Sequence, residues 1–270
     1  MGYLSQVDAS FLHMESDRTP MHVAGLLVFR LPEHAPETYI RQLYRDLLSA
    51  PVKLYPFNCK VRVGIFSGIA PYWDEDTNID MEYHVRRAAL PSPGGERELG
   101  QWVERVHSLP LDITRPLWEF YIVEGLAGNR FACYFKAHHS AIDGMGAMAV
   151  LLRWLSNDPM QQPNVAPWSM PPVRRRIAPD ATLATREKNF FSRSLDTVKA
   201  QATAAAELSR TLYHMNRREE NPEGGMQSAL NTPKTPFNVH VSPHRRVATQ
   251  TLPLHRFKQI GDIMGATVND

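Results

Sequence analysis

The chain has 270 residues, of which 43% are hydrophobic and 21% charged, and its formal net charge is +2. That balance is ordinary for a globular protein and long enough to bury a full core, as one large domain or two smaller ones. No run approaches eighteen apolar residues, which excludes a membrane-spanning helix. Cys59 and Cys133 are too few for a disulfide framework, which points to a reducing cytoplasm. The N-terminus lacks the basic region and apolar core of a signal peptide. Met1-Gly2 hints at myristoylation, but Gln6 stands where that motif needs Ser or Thr.

The charge is unevenly placed. Residues 1–173 carry 15 Lys and Arg against 19 Asp and Glu, a net of −4; residues 174–270 carry 15 against 9, a net of +6. A basic second half suits an anionic partner such as a membrane surface or a phosphate-bearing ligand, and equally a solvated helix face. No basic stretch is interleaved with stacking aromatics, so nucleic acid is not expected as a partner.

Residues 3–15 read as a short helical or irregular entry. His22 to Phe29 reads as a buried strand. Pro36-Glu37 opens a helix to about Ala50, with Ile40, Leu43, Tyr44, Leu47 and Leu48 on one stripe. Lys60 to Ile65 alternates, and Tyr72-Trp73 leads into an acidic turn, Asp74-Glu75-Asp76. Asp80 to Val85 looks strand-like and contains His84, for which a structural role is expected. Glu96 to Ser108 is predicted helical, with Leu99, Trp102, Val103 and Val106 facing inward. Trp118 to Leu126 and Arg130 to Ala137 form a predicted hairpin about the Gly125 to Asn129 turn. Phe131, Cys133 and Phe135 fall on one of its faces, and Ala132, Tyr134 and Lys136 on the other. Strands and helices mix without a regular βαβ repeat. The expected fold class is therefore α/β, of the layered α+β kind with a mixed sheet.

From Asp158 to Pro179 six prolines and Arg174-Arg175-Arg176 form a connector. The expected organisation is residues 1–173 as an N-terminal domain, 174–236 as a connector with one or more long helices, and 237–270 as the start of a further domain. Asp180 to about Arg218 is predicted helical, either packed on the body or lying on a membrane surface. Residues 219–236 read as a loop, Arg246 to Leu252 as a strand, and Leu254 to Met264 as a helix.

The stretch that carries chemistry is His138-His139-Ser140-Ala141-Ile142-Asp143-Gly144. It lies between the strand ending near Ala137 and an apolar, helix-forming run from Met145 to Leu155. Consecutive strand residues point to opposite faces, so His138 and His139 do not both face one substrate. Three readings stand. The histidines pack, and Asp143 caps the following helix. Or His139 and Asp143 hold a metal, although this window offers no glutamate and only Cys133 nearby. Or a histidine acts as the base of an acyl transfer, for which its pKa near neutrality suits it.

The pattern His-His-x-x-x-Asp-Gly resembles the signature of the CoA-dependent acyltransferase superfamily. Further stretches look like those of the bacterial wax ester synthase/diacylglycerol acyltransferase family: Leu4 to Leu12, Arg115-Pro116-Leu117-Trp118-Glu119, Ser242-Pro243-His244-Arg245-Arg246 and Thr267-Val268-Asn269-Asp270. These matches keep the family's order over nearly the whole chain. The resemblance implies a two-domain fold with mixed sheets, of which the first domain and the start of the second are present, with the site between them. A piece without the rest of the second domain is then expected to be inactive. The implied reaction moves a long acyl group from acyl-CoA to a fatty alcohol or a diacylglycerol, with acyl-CoA as substrate and no metal or other cofactor.

By the same resemblance His139 is the catalytic base and His138 supports it. Asp143 holds the turn through an ion pair, and Gly144 lets the helix start close to the site. Pro116, Leu117 and Trp118 shape a pocket or pack, and Asn269 and Asp270 match the family's second motif. Work at the inner membrane or on lipid inclusions is expected. Two rivals remain: a condensation-type or polyketide-associated acyltransferase with a carrier-bound donor, and a non-catalytic coat protein of lipid droplets.

Overall fold

In the computed structural model, residues 2–62, 71–158, 166–171, 235–236, 239 and 241–268 are described. Residues 1–172 with 241–270 form one unit of the chain, described below. Residues 173–240 form the other, and the helix and loop expected over 180–236 fall almost entirely outside the described residues.

The first unit is built on a four-stranded sheet of order β2 (His22–Arg30), β7 (Arg130–His138), β6 (Trp118–Leu126), β5 (Val85–Ala89). The β2–β7 and β7–β6 pairs are antiparallel and β6–β5 is parallel, so the sheet is mixed as expected. A smaller antiparallel sheet joins β1 (Gly2–Tyr3), β4 (Tyr72–Glu75) and β3 (Cys59–Arg62).

Alternation along β6 and β7 sends two apolar sets to opposite faces of the large sheet. Trp118, Phe120, Ile122, Phe131 and Cys133 pack with Ile40 and Leu47 of α2 (Tyr39–Ser49) and with Trp168. Val150 and Trp154 of α5 (Gly144–Trp154) close the same layer. On the other face Tyr121, Val123, Ala132 and Tyr134 pack with Leu99, Val103 and Val106 of α4 (Glu96–Ser108). The sidedness read from the sequence is therefore the sidedness found. This second face also buries an ion pair. Lys136 is fully buried, lies 3.1 Å from Glu119, and donates to the carbonyls of Val106 and Leu109.

The helical outcome at the entry and two local differences have physical causes. The entry is a regular helix, α1 (Gln6–Met14), because Ser5 Oγ caps it by accepting the Asp8 N–H at 3.1 Å. Asp80 likewise accepts the Tyr83 N–H at 3.2 Å and caps a one-turn helix, α3 (Met81–His84), so the expected strand begins only at Val85. Residues 246–252 form no ladder. Glu104 of α4 takes the Val247 N–H at 3.0 Å and the Arg246 guanidinium at 2.8 Å, which binds this stretch to a helix side chain instead of a strand. The final helix, α6, spans Leu254–Met264 as predicted.

At the hairpin, glycine is required by geometry. Gly94 and Gly125 both have positive φ, at 70° and 82°, and a Cβ on Gly94 would lie 1.9 Å from the Gly125 carbonyl oxygen.

Candidate active site

The strand-to-helix turn expected from the sequence is present: β7 ends at His138 and α5 starts at Gly144. His138 lies opposite His22 in the β2–β7 register and continues the face covered by α4. It is almost fully buried, at 1% exposure. Its Nδ1 lies 2.7 Å from Ser140 Oγ and accepts the Ser140 N–H at 3.1 Å. A backbone amide only donates, so Nδ1 carries no proton, and the neutral ring is protonated on Nε2. That Nε2 lies 3.5 Å from Glu15 Oε2, at the outer limit of a hydrogen bond, and has no closer partner among the described residues. With one nitrogen bonded and the other buried, His138 has no nitrogen open to a substrate.

His139 is only partly buried. Its backbone N–H donates to the Met21 carbonyl at 2.8 Å, and its ring stacks on Phe11 of α1, with centroids 4.0 Å apart and planes 20° apart. Its Nδ1 is buried with no hydrogen-bond partner among the described residues. Nε2 is then the nitrogen left to meet a substrate hydroxyl. The two histidines thus differ in accessibility, as the strand alternation required.

Asp143 is exposed, and its Oδ1 accepts the Gly146 N–H at the start of α5. The capping reading therefore describes its contacts. The ion pair implied by resemblance is not seen among the described residues. Among the described residues no group of three or more His, Cys, Asp or Glu is placed to hold a metal ion. Gly144 is the first residue of α5 without a positive φ, and a Cβ there would meet no protein atom within 4 Å.

Pro116, Leu117 and Trp118 are all buried. The Leu117 carbonyl accepts the His138 N–H at 3.0 Å. Trp118 donates its indole N–H to the Phe57 carbonyl at 2.9 Å and stacks between Trp168 and His84. His84 in turn holds the Trp118 carbonyl through Nδ1 at 2.7 Å. These residues pack and brace the strand that carries the histidines, and none of them lines the cavity described next. Asn269 and Asp270 lie outside the described residues.

An apolar cavity of about 250 Å³ lies between α5 and the β2–β7 edge of the sheet. Val23, Gly25, Leu27 and Phe135 form its floor, Met148 and Leu151 its roof, and Ala137, Ile142 and Gly144 the end next to the histidine turn. Ala137 precedes His139 by two residues, on the face of the sheet that α5 covers. Sequence reasoning missed this cavity, and it missed Phe11, Glu15 and Ser140. The available signal was the amphipathic Leu4–Glu15 segment, whose residues 11 and 15 are one helical turn apart.

Burial shapes the surrounding titratable groups. It pushes His22 down to about 4, against a partial offset from its bond to the His107 carbonyl, and it lowers His84 and His107 as well. Burial also raises Cys59 to about 11 and Cys133 to about 12, so neither thiol is a thiolate at neutral pH.

Comparison with known proteins agrees with this geometry. A family model described as the wax ester synthase/diacylglycerol acyltransferase catalytic domain matches residues 4–270. A putative diacylglycerol O-acyltransferase of Mycobacterium tuberculosis is 39% identical over 270 residues, covering 100% of this chain and 57% of that protein. The O-acyltransferase WSD of Acinetobacter baylyi is 37% identical over 99% of this chain and 56% of its own length. The solved wax ester synthase/diacylglycerol acyltransferase of Marinobacter aquaeolei VT8 superposes with a TM-score of 0.71 at 32% identity, over 99% of this chain and 57% of that one. The chain thus spans little more than half the length of the relatives it matches. A match that runs from Leu4 to Asp270 and takes in the histidine turn and the helix packed on it establishes that the chain belongs to the wax ester synthase/diacylglycerol acyltransferase family.

Proposed function

We propose that this chain carries the base of an O-acyltransferase that moves a long acyl group from acyl-CoA to a fatty alcohol or a diacylglycerol. The observation that carries the reading is the pairing of one accessible histidine, His139, with an apolar cavity that starts two residues away at Ala137. An alcohol is a weak nucleophile at neutral pH. His139 Nε2 removes its proton as the oxygen attacks the thioester carbonyl, within about 3 Å of the hydroxyl. The tetrahedral intermediate collapses with cleavage of the C–S bond. The imidazolium returns the proton to the departing thiolate, giving the ester and free CoA. The Phe11 face against the ring favours the positive charge formed midway.

The cavity suits the hydrocarbon of either substrate. It is lined almost wholly by carbon, and burying each methylene is worth about 0.8 kcal/mol. Its volume is below the ~300–1,000 Å³ of a pocket for a drug-sized ligand, so it takes part of a long chain. His138 and Asp143 serve by holding the turn, and Asn269 and Asp270, which match the family's second motif, are read as belonging to the site. Long-chain alcohols and diacylglycerols reside in lipid phases, so the protein works at a membrane or lipid-inclusion surface. No helix among the described residues is long and apolar enough to span a bilayer.

The test is thiol release from palmitoyl-CoA with hexadecanol or a diacylglycerol, for the natural-length protein and for His139→Ala. Release that requires the acceptor and collapses in the variant is expected. Full activity in His139→Ala would refute the assignment of the base. Turnover only with a carrier-bound donor would replace acyl-CoA by that donor.

A further inference from the structure

We infer that Glu15 is a positioning residue for the histidine pair, one carboxylate that fixes the ring of His138 and braces the backbone that carries His139. Its effect on rate rests on the acyl-transfer reading above; its effect on His138 rests on geometry alone.

Glu15 closes α1, and its side chain is only 22% exposed. Its two oxygens have different tasks. Oε1 accepts the Met21 N–H at 3.0 Å, and the Met21 carbonyl accepts the His139 N–H at 2.8 Å. The carboxylate is thus one residue removed from the backbone of the base. Oε2 faces His138 Nε2 at 3.5 Å. Because the Ser140 N–H occupies Nδ1, the neutral His138 proton sits on Nε2, the buried nitrogen that lies 3.5 Å from this carboxylate. Among the described residues that buried nitrogen makes no well-formed hydrogen bond, and the Glu15 carboxylate is the acidic group facing it.

A buried N–H left without an acceptor costs about 1–3 kcal/mol. Removing the carboxylate therefore makes another ring orientation or the other tautomer competitive at His138. Burial would by itself raise the Glu15 carboxyl; the facing His138 and the Met21 N–H outweigh it and hold the group below its ordinary value. The carboxylate is charged at neutral pH and stays in place. His138 and His139 share a peptide unit and Met21 ties Glu15 to the His139 backbone, so a backbone adjustment at either point displaces the base, and a shift of about 1 Å at a reacting group costs on the order of 100-fold in rate.

The deciding variant is Glu15→Gln in the natural-length protein. Gln keeps the size and an oxygen for the Met21 N–H, but then turns its amide NH2 toward the His138 Nε2–H, donor against donor. The expected result is a fall in kcat of roughly 10-fold or more with KM for palmitoyl-CoA and for hexadecanol within about twofold, and partial recovery in Glu15→Asp. Unchanged kcat, or a loss that appears equally in KM and in thermal stability, would overturn the inference. Independently of turnover, 15N-histidine NMR should show a His138 ring protonated at Nε2 in the wild type and a changed tautomer or exchange rate in Glu15→Gln. Identical His138 resonances would also overturn it. A wild type that releases no thiol would defeat the acyl-transfer reading and leave the NMR comparison to decide the role of Glu15.

Discussion

The ring of Phe11 lies flat against that of His139, with centroids 4.0 Å apart and planes inclined by 20°. A flat contact of this kind holds the imidazole in one orientation, and the negative face of the benzene ring favours a cation above it by about 0.5–2 kcal/mol. Phe11→Ala should lower kcat by roughly 10-fold, which corresponds to about 1.4 kcal/mol of transition-state stabilisation. Phe11→Tyr keeps the face and should retain most of the activity. Steady-state thiol release by the two variants makes the comparison; equal rates for Phe11→Ala and wild type would remove Phe11 from the mechanism.

The floor of the cavity supplies a second prediction. Gly25 lies on β2, an edge strand, and a Cβ added there meets no atom within 4 Å. Glycine inside a strand weakens it, so a β-branched residue is tolerated by the backbone and intrudes only on the cavity. Gly25→Val should leave the melting temperature equal or higher. It should lower kcat/KM for hexadecanol relative to decanol by roughly 10-fold, since each methylene excluded loses about 0.8 kcal/mol. The same variant in a chain-length series is the measurement, and a uniform loss at every length would show that this cavity does not hold the chain.

Acid stability follows from the buried imidazoles. His22, His84 and His107 all sit below their ordinary value because burial disfavours the cation, His22 reaching about 4. In the unfolded chain each titrates near 6.5. As pH falls below that value the unfolded state takes up protons that the folded state refuses, so stability is fully present above about pH 6.5 and declines toward pH 4. His22 alone accounts for about 3 kcal/mol of that decline. Urea unfolding at pH 7.5 and 4.5 should differ by several kcal/mol, and His22→Phe should flatten the dependence. A pH-independent midpoint would contradict the burial described.

Much of the layer structure could be read from the chain because alternation and turn chemistry are local. Phe131, Cys133 and Phe135 separate from Ala132, Tyr134 and Lys136 by strand geometry alone, and the Glu96–Ser108 helix begins and ends where its pattern does. The histidine turn was legible for the same reason. Glu15 and Phe11 were not, since they reach the histidines only through the packing of α1 on a turn more than a hundred residues later. The partner of Lys136 was equally hidden: Glu119 stands opposite it in the β6–β7 register, which is fixed by the whole hairpin. For Asp143 the sequence left capping and an ion pair both open: its contact with the Gly146 N–H is local, and no cationic partner is seen among the described residues.

The stretch at 241–247 carries one more consequence. Arg245 donates its guanidinium to the Ser242 and Arg18 carbonyls and its backbone N–H to Ser108 Oγ, while Arg246 and Val247 are held by Glu104. On the other side of the intervening segment, Trp168 is fully buried and its carbonyl takes the N–H groups of Lys53 and Leu54. Both ends of the excursion from 172 to 241 are therefore moored to one body. These contacts make residues 241–247 part of the body that carries the histidine turn, whatever sequence runs between them.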